Sequence, residues 1–188
     1  MEQKAEALER ARKIKLVIFD VDGVLTDGGI YIGETGELYK PFFCRDGLGI
    51  TLAHNAGIKT AIITGRQSAQ VAFRAKELKI HEVYQGSLDK RAAYNLLKER
   101  TGLLDEEIAY VGDDLIDLPI MCQVGLPMAV ADAVPEVREK ARLVAGFPGG
   151  HGAVRELLEF ILKAQDSWDD LIKEFYMPAD GTIRGLAQ

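Results

Sequence analysis

Cysteine is scarce: Cys44 and Cys122 are the only two in 188 residues. They form no CxxC pair and no disulfide framework, which fits a reducing cytoplasm, and both read as small buried thiols. Long apolar runs are missing as well. The longest span four or five residues, against the roughly 20 that a membrane helix needs. Basic charge is in deficit, with 23 Lys and Arg against 29 Asp and Glu and a net charge of −6. Without a basic block, nucleic acid and anionic membrane surfaces are excluded as partners. The first fifteen residues are charged throughout and lack the apolar stretch of a signal peptide, so the expected location is cytoplasmic. Repeats, low-complexity tracts and linkers are absent before the last dozen residues. One domain is therefore expected over residues 1–176, with a flexible tail over 177–188 that could close a neighbouring site.

Apolar residues make up 47% of the chain, enough for a sizeable core. Their spacing alternates between short runs and helical patterns. A charged helix is expected over 4–14, then the buried strand LVIFD ending at Asp20. Ile30 to Phe43, turning at Gly33-Glu34-Thr35-Gly36, reads as a hairpin within 27–43. Helices over 48–56, 67–78, 89–100, 115–123, 134–141 and 152–164 then interleave with strands at 60–64, 82–85, 108–112 and 127–130. An apolar piece follows at 143–145, and a further helical stretch reaches Tyr176. Short, wholly apolar strands alternating with helices predict an α/β fold: a Rossmann-like, doubly wound parallel sheet with helices on both faces and a protruding hairpin.

Sites in such sheets form beyond the carboxyl ends of the strands. The first strand ends in Asp20-Val21-Asp22-Gly23, and 60–64 ends in Thr64-Gly65-Arg66. Lys90 follows the strand at 82–85, and 108–112 runs into Asp113-Asp114 with Asp117 one turn on. Crowded carboxylates repel unless a cation holds them. An oxygen-only ligand set suits Mg²⁺ better than zinc, and Mg²⁺ leaves places for water and phosphate. A Lys and a Thr at the same rim would cradle phosphoryl oxygens. The chemistry this supports is phosphoryl transfer to a carboxylate, with a second acid to protonate the leaving alcohol. His54, His81 and His151 show no metal spacing, and Arg155 is expected to pair with Glu156 or Glu159.

DVDGV, ITGR, Lys90 and GDDLID, in that order, resemble the four motifs of the haloacid dehalogenase superfamily of phosphatases. The resemblance implies Asp20 as nucleophile and metal ligand, and Asp22 as general acid/base that also offers its backbone carbonyl to the metal. Asp113 would complete the ligands, Thr64 and Lys90 would bind the phosphoryl group, and Asp117 would orient the metal shell or Lys90. Asp114 supports the site or caps the next helix. The stretches between the motifs are too short for a cap domain, which points to the capless subclass. DVDGVLTDGGIYI, FFCRDGLGI, YQGSLDK and GGHGAVRE further resemble the family of phosphatases acting on 3-deoxy-D-manno-octulosonate 8-phosphate. That resemblance implies a step toward lipopolysaccharide and a homotetramer assembled through the hairpin. It also makes Arg45-Asp46-Gly47, Gly65, Arg66 and Arg74 candidates to meet an acidic phosphorylated sugar. A capless phosphatase for a nine-carbon sugar-acid 9-phosphate, and a retired oligomeric scaffold, stay open as alternatives.

Overall fold

In the computed structural model, which describes residues 2–34 and 36–177, the chain folds around a six-stranded parallel sheet. Its strands are β1 (Leu16–Phe19), β4 (Lys59–Ile63), β5 (Glu82–Tyr84), β6 (Ile108–Gly112), β7 (Leu126–Ala129) and β8 (Leu143–Val144). They lie in the order β5-β4-β1-β6-β7-β8. The remaining strands, β2 (Tyr31–Gly33) and β3 (Gly36–Tyr39), form the separate antiparallel hairpin. The apolar piece at 143–145 is thus the sixth strand, paired with β7.

β1 and β6 are buried at every residue, as strands covered on both faces must be. Helices α1 (Glu2–Ala11), α2 (Cys44–Asn55) and α7 (Ala153–Ala164) pack together. Helices α4 (Lys90–Thr101), α5 (Leu118–Met121) and α6 (Pro135–Lys140) form a second group, and α3 (Ala69–Glu77) joins β4 to β5. Among the described residues no helix is long and apolar enough to cross a membrane.

Several boundaries differ from expectation. α1 stops at Ala11, three residues early. α2 begins at Cys44 rather than 48, although Gly47 and Gly49 weaken a helix intrinsically. Packing overrides propensity here: a Cβ at Gly49 would sit 3.1 Å from Arg155 Cα, so the glycine lets α2 and α7 approach closely. The expected helix over 115–123 splits into a 3₁₀ turn (Leu115–Asp117) and the short α5, with Pro119 near its start. After α8 (Trp168–Leu171) the chain widens into a π turn over Ile172–Tyr176. The expectation of buried cysteines is corrected. Cys44 and Cys122 are both exposed, because each sits at the end of a helix where the chain meets solvent. The expected tail, apart from Met177, lies outside the described residues.

Candidate active site

β1 is the switch point of the sheet, flanked by β4 on one side and β6 on the other. The loops leaving β1, β4 and β6 therefore diverge at one rim, and the expected polar residues converge there. Asp20 is 4% exposed, one oxygen accepting from the Val21 amide at 2.7 Å and the other from Lys90 Nζ at 2.9 Å. Lys90 opens α4, its side chain fully buried, and also donates to Asp117 Oδ1 at 2.7 Å. Burial works against the Lys90 cation, but Asp20 and Asp117 outweigh it and raise its pKa. Thr64, directly after β4, is buried.

Asp117 is held by four donors. One oxygen accepts from Lys90 and from Tyr110 Oη at 2.6 Å, and the other from the amides of Asp113 at 2.8 Å and Asp114 at 3.2 Å. Its carboxylate is saturated, so it orients its neighbours. Gly112 makes room for it, since a Cβ there would fall 2.6 Å from Asp117 Cβ. Asp114 accepts from the Leu115 amide at 2.7 Å and caps the following turn, the more local of its two expected roles.

Asp113 is different: its Oδ1 is buried with no hydrogen-bond partner. Oxygens of Asp20, Asp113 and Asp117 lie within 4.8 Å of one another. Burial, then the charges of Asp117 and Asp20, push the Asp113 carboxyl up to about 8. Burial likewise raises Asp20, to about 6, against the pull of Lys90. An orphaned carboxylate oxygen beside a second carboxylate, in a group of carboxylates without His or Cys, fits a hard divalent cation. Gly23, at φ 87°, belongs to this site because any Cβ on it would overlap Asp113 Oδ2.

Asp22 faces the hairpin, where its carboxylate pairs with Lys40 and lies 3.8 Å from Arg66 Nε. The candidate arginines do not gather at one point. Arg45 lies over the Phe43 ring in a cleft of about 420 Å³ that also includes His151 and Arg155. Arg74 pairs with Glu77 at 2.5 Å beside Phe42, lining another cleft. Gly47 is close to it, since a Cβ there would overlap the Arg74 guanidinium. Gly65 has Leu88 and Ile116 for neighbours. Asp46 is buried and turned to structure, accepting from the amides of Gly152 at 3.3 Å and Arg155 at 2.8 Å. Arg155 pairs with Glu159, as expected, at 3.5 Å.

Sequence reasoning missed Tyr110 and Lys40. Tyr110 carried a signal, because a phenol inside a buried strand needs a partner for its hydroxyl. Lys40 carried none, since its site partner, Asp22, comes from a different segment.

A rim of buried carboxylates with one lysine, at the switch point of a capless sheet, defines a phosphotransfer-type hydrolase. The comparisons agree. The family model for haloacid dehalogenase-like hydrolases matches residues 75–157. The 3-deoxy-D-manno-octulosonate 8-phosphate phosphatase of Yersinia pestis is 49% identical over 161 residues, 86% of each chain. The crystal structure of the Yersinia pestis phosphatase superposes with a TM-score of 0.86 at 48% identity, covering 87% of this chain and 89% of that one. The same phosphatase from Moraxella catarrhalis, solved with magnesium, phosphate and KDO, is 42% identical with a TM-score of 0.86, covering 89% and 96%. The chain belongs to this family of phosphomonoesterases among the haloacid dehalogenase-like hydrolases.

Proposed function

We propose that the protein is a Mg²⁺-dependent phosphatase that hydrolyses 3-deoxy-D-manno-octulosonate 8-phosphate through an aspartyl-phosphate on Asp20, in the supply of a lipopolysaccharide sugar. The carrying observation is the convergence of Asp20, Lys90 and the unpartnered oxygen of Asp113 at the switch point. The family's names and the ligands of the Moraxella catarrhalis phosphatase support the substrate and the metal. Asp20, Asp113 and the Asp22 carbonyl would hold Mg²⁺, which neutralises phosphoryl charge when bound.

Lys90 and Thr64 orient the phosphoryl group. An Asp20 oxygen attacks phosphorus as the bond to the sugar oxygen breaks, and Asp22 gives that oxygen its proton. Asp22 then takes a proton from water as the water attacks phosphorus. The Asp20–phosphorus bond breaks, releasing phosphate and restoring both carboxyl groups. Residues 1–176 would work as one domain, with copies joined through the hairpin into a tetramer.

Phosphate release from eight- and nine-carbon sugar-acid phosphates, with Mg²⁺ and after EDTA, tests this reading. The eight-carbon substrate should be preferred, chelation should abolish turnover, and Asp20→Asn should be folded and inactive. Appreciable turnover by folded Asp20→Asn would overturn the mechanism. Preference for the nine-carbon acid would move the protein to the sibling activity.

A further inference from the structure

Lys40 sits where the hairpin rejoins the body of the protein, yet its side chain is only 1% exposed. A buried ammonium persists only with compensating charge. Lys40 has two such partners, Asp22 and, at 3.0 Å, Glu37 Oε1. Glu37 in turn accepts from Ser68 Oγ at 2.5 Å and lies 3.8 Å from Arg66 Nη2. Two cations and two carboxyl groups thus form one cluster. It draws on the loop after β1, the hairpin and the loop after β4, and the proposed reaction uses only Asp22.

We propose that Lys40 is a positioning residue for Asp22, fixing its carboxylate so that the proton reaches the leaving oxygen of the substrate. The Asp22 side chain is 20% exposed, so packing alone does not hold it. Lys40 engages Oδ1, while Arg66 Nε stands 3.8 Å from Oδ2, beyond hydrogen-bond reach. That leaves Oδ2 available for proton transfer. A general acid works only within hydrogen-bond reach of the leaving group, and a freely rotating carboxylate loses that advantage. The inference rests on the reading of Asp22 as the acid.

The alternative is that Lys40 merely anchors the base of the hairpin. Leaving groups separate the two. A sugar alkoxide needs a proton to depart, whereas p-nitrophenolate does not. The comparison uses kcat/KM, which reports the steps up to the aspartyl-phosphate and is insensitive to its later hydrolysis.

Full-length wild type, Lys40→Met, Lys40→Arg and Asp22→Asn would be assayed with Mg²⁺ on 3-deoxy-D-manno-octulosonate 8-phosphate and on p-nitrophenyl phosphate. Lys40→Met should lower kcat/KM for the sugar phosphate roughly 10- to 100-fold more than for p-nitrophenyl phosphate. Asp22→Asn should show a larger bias of the same sign, and Lys40→Arg should restore part of the loss. If Lys40→Met does not fold, as judged by circular dichroism, Lys40→Gln carries the same comparison. Equal proportional losses on both substrates, with Asp22→Asn still biased, would overturn the role of Lys40 alone. No bias in Asp22→Asn would instead remove the acid assignment, and the inference with it.

Discussion

Asp117 shows how one buried carboxylate can tie side chains and backbone from several segments together. Four donors share its two oxygens, from Lys90, Tyr110 and two backbone amides. Asp117→Asn would set an NH₂ group against two of those donors and leave Lys90 with Asp20 as its one anionic partner among the described residues. Breaking a buried pair in this way should cost about 3–5 kcal/mol, read by chemical denaturation. Loss of orientation around the metal should weaken Mg²⁺ binding roughly 10- to 100-fold, read by titration calorimetry. Tyr110→Phe removes two hydrogen bonds, one donated to Asp117 and a longer one accepted from Lys90 at 3.2 Å, but no charge, and should cost only about 1–3 kcal/mol. Asp20 and Asp113 were legible in the sequence as rim acids, because each directly follows an apolar strand, with Asp22 and Asp117 a few residues on. Tyr110 and Lys40 were not read, since their roles depend on which distant segments the sheet order brings together.

At the scale of elements, α7 is preceded by Gly152, whose φ is 108° and which has no side chain with which to cap. The cap comes instead from Asp46 on α2. Asp46→Ala should therefore destabilise the fold by about 1–2 kcal/mol through unsatisfied helix donors, measured by urea unfolding. If Asp46 acts in this way alone, KM for the sugar-acid phosphate should stay unchanged. The order of strands and helices was readable from periodicity. The early start of α2 was not, because its glycines serve contacts with α7 and with Arg74 that only the fold creates. The hairpin makes a separate case. Ile32 is 76% exposed and Leu38 63%, on a ribbon too small to be stable alone. Burial against other copies would remove this surface and its free edges. Ile32→Glu with Leu38→Glu should therefore shift the light-scattering mass toward the monomer while the secondary structure persists. An unchanged mass would count against assembly through the hairpin.

The whole molecule couples metal, protons and folding. Asp113 and Asp20 have native pKa values of about 8 and about 6, raised first by burial from an ordinary 3.8. Without metal, the native state therefore holds protons that the unfolded chain has released over that window. Stability of the metal-free protein should fall as pH rises from about 4 to about 8. Mg²⁺ competes with those protons, so it should bind better, and stabilise more, toward pH 8 than at pH 6. Melting temperatures with EDTA and with Mg²⁺ across this range test the sign. A Mg²⁺ increment that shrank toward pH 8 would contradict it.

The central place of β1 also bears on how the protein is made. Leu16 pairs with Lys59 on one side and with Ile108 on the other, so the strand synthesised first keeps one edge open until β6 has been made. A nascent chain ending before residue 108 carries β1 with one naked edge and has no Asp113. Such an edge is a template for pairing with other chains. Ribosome-bound chains released between residues 70 and 105 should therefore aggregate and show no phosphatase activity. Covering of that edge and arrival of the rim acid Asp113 thus wait on the same strand, β6.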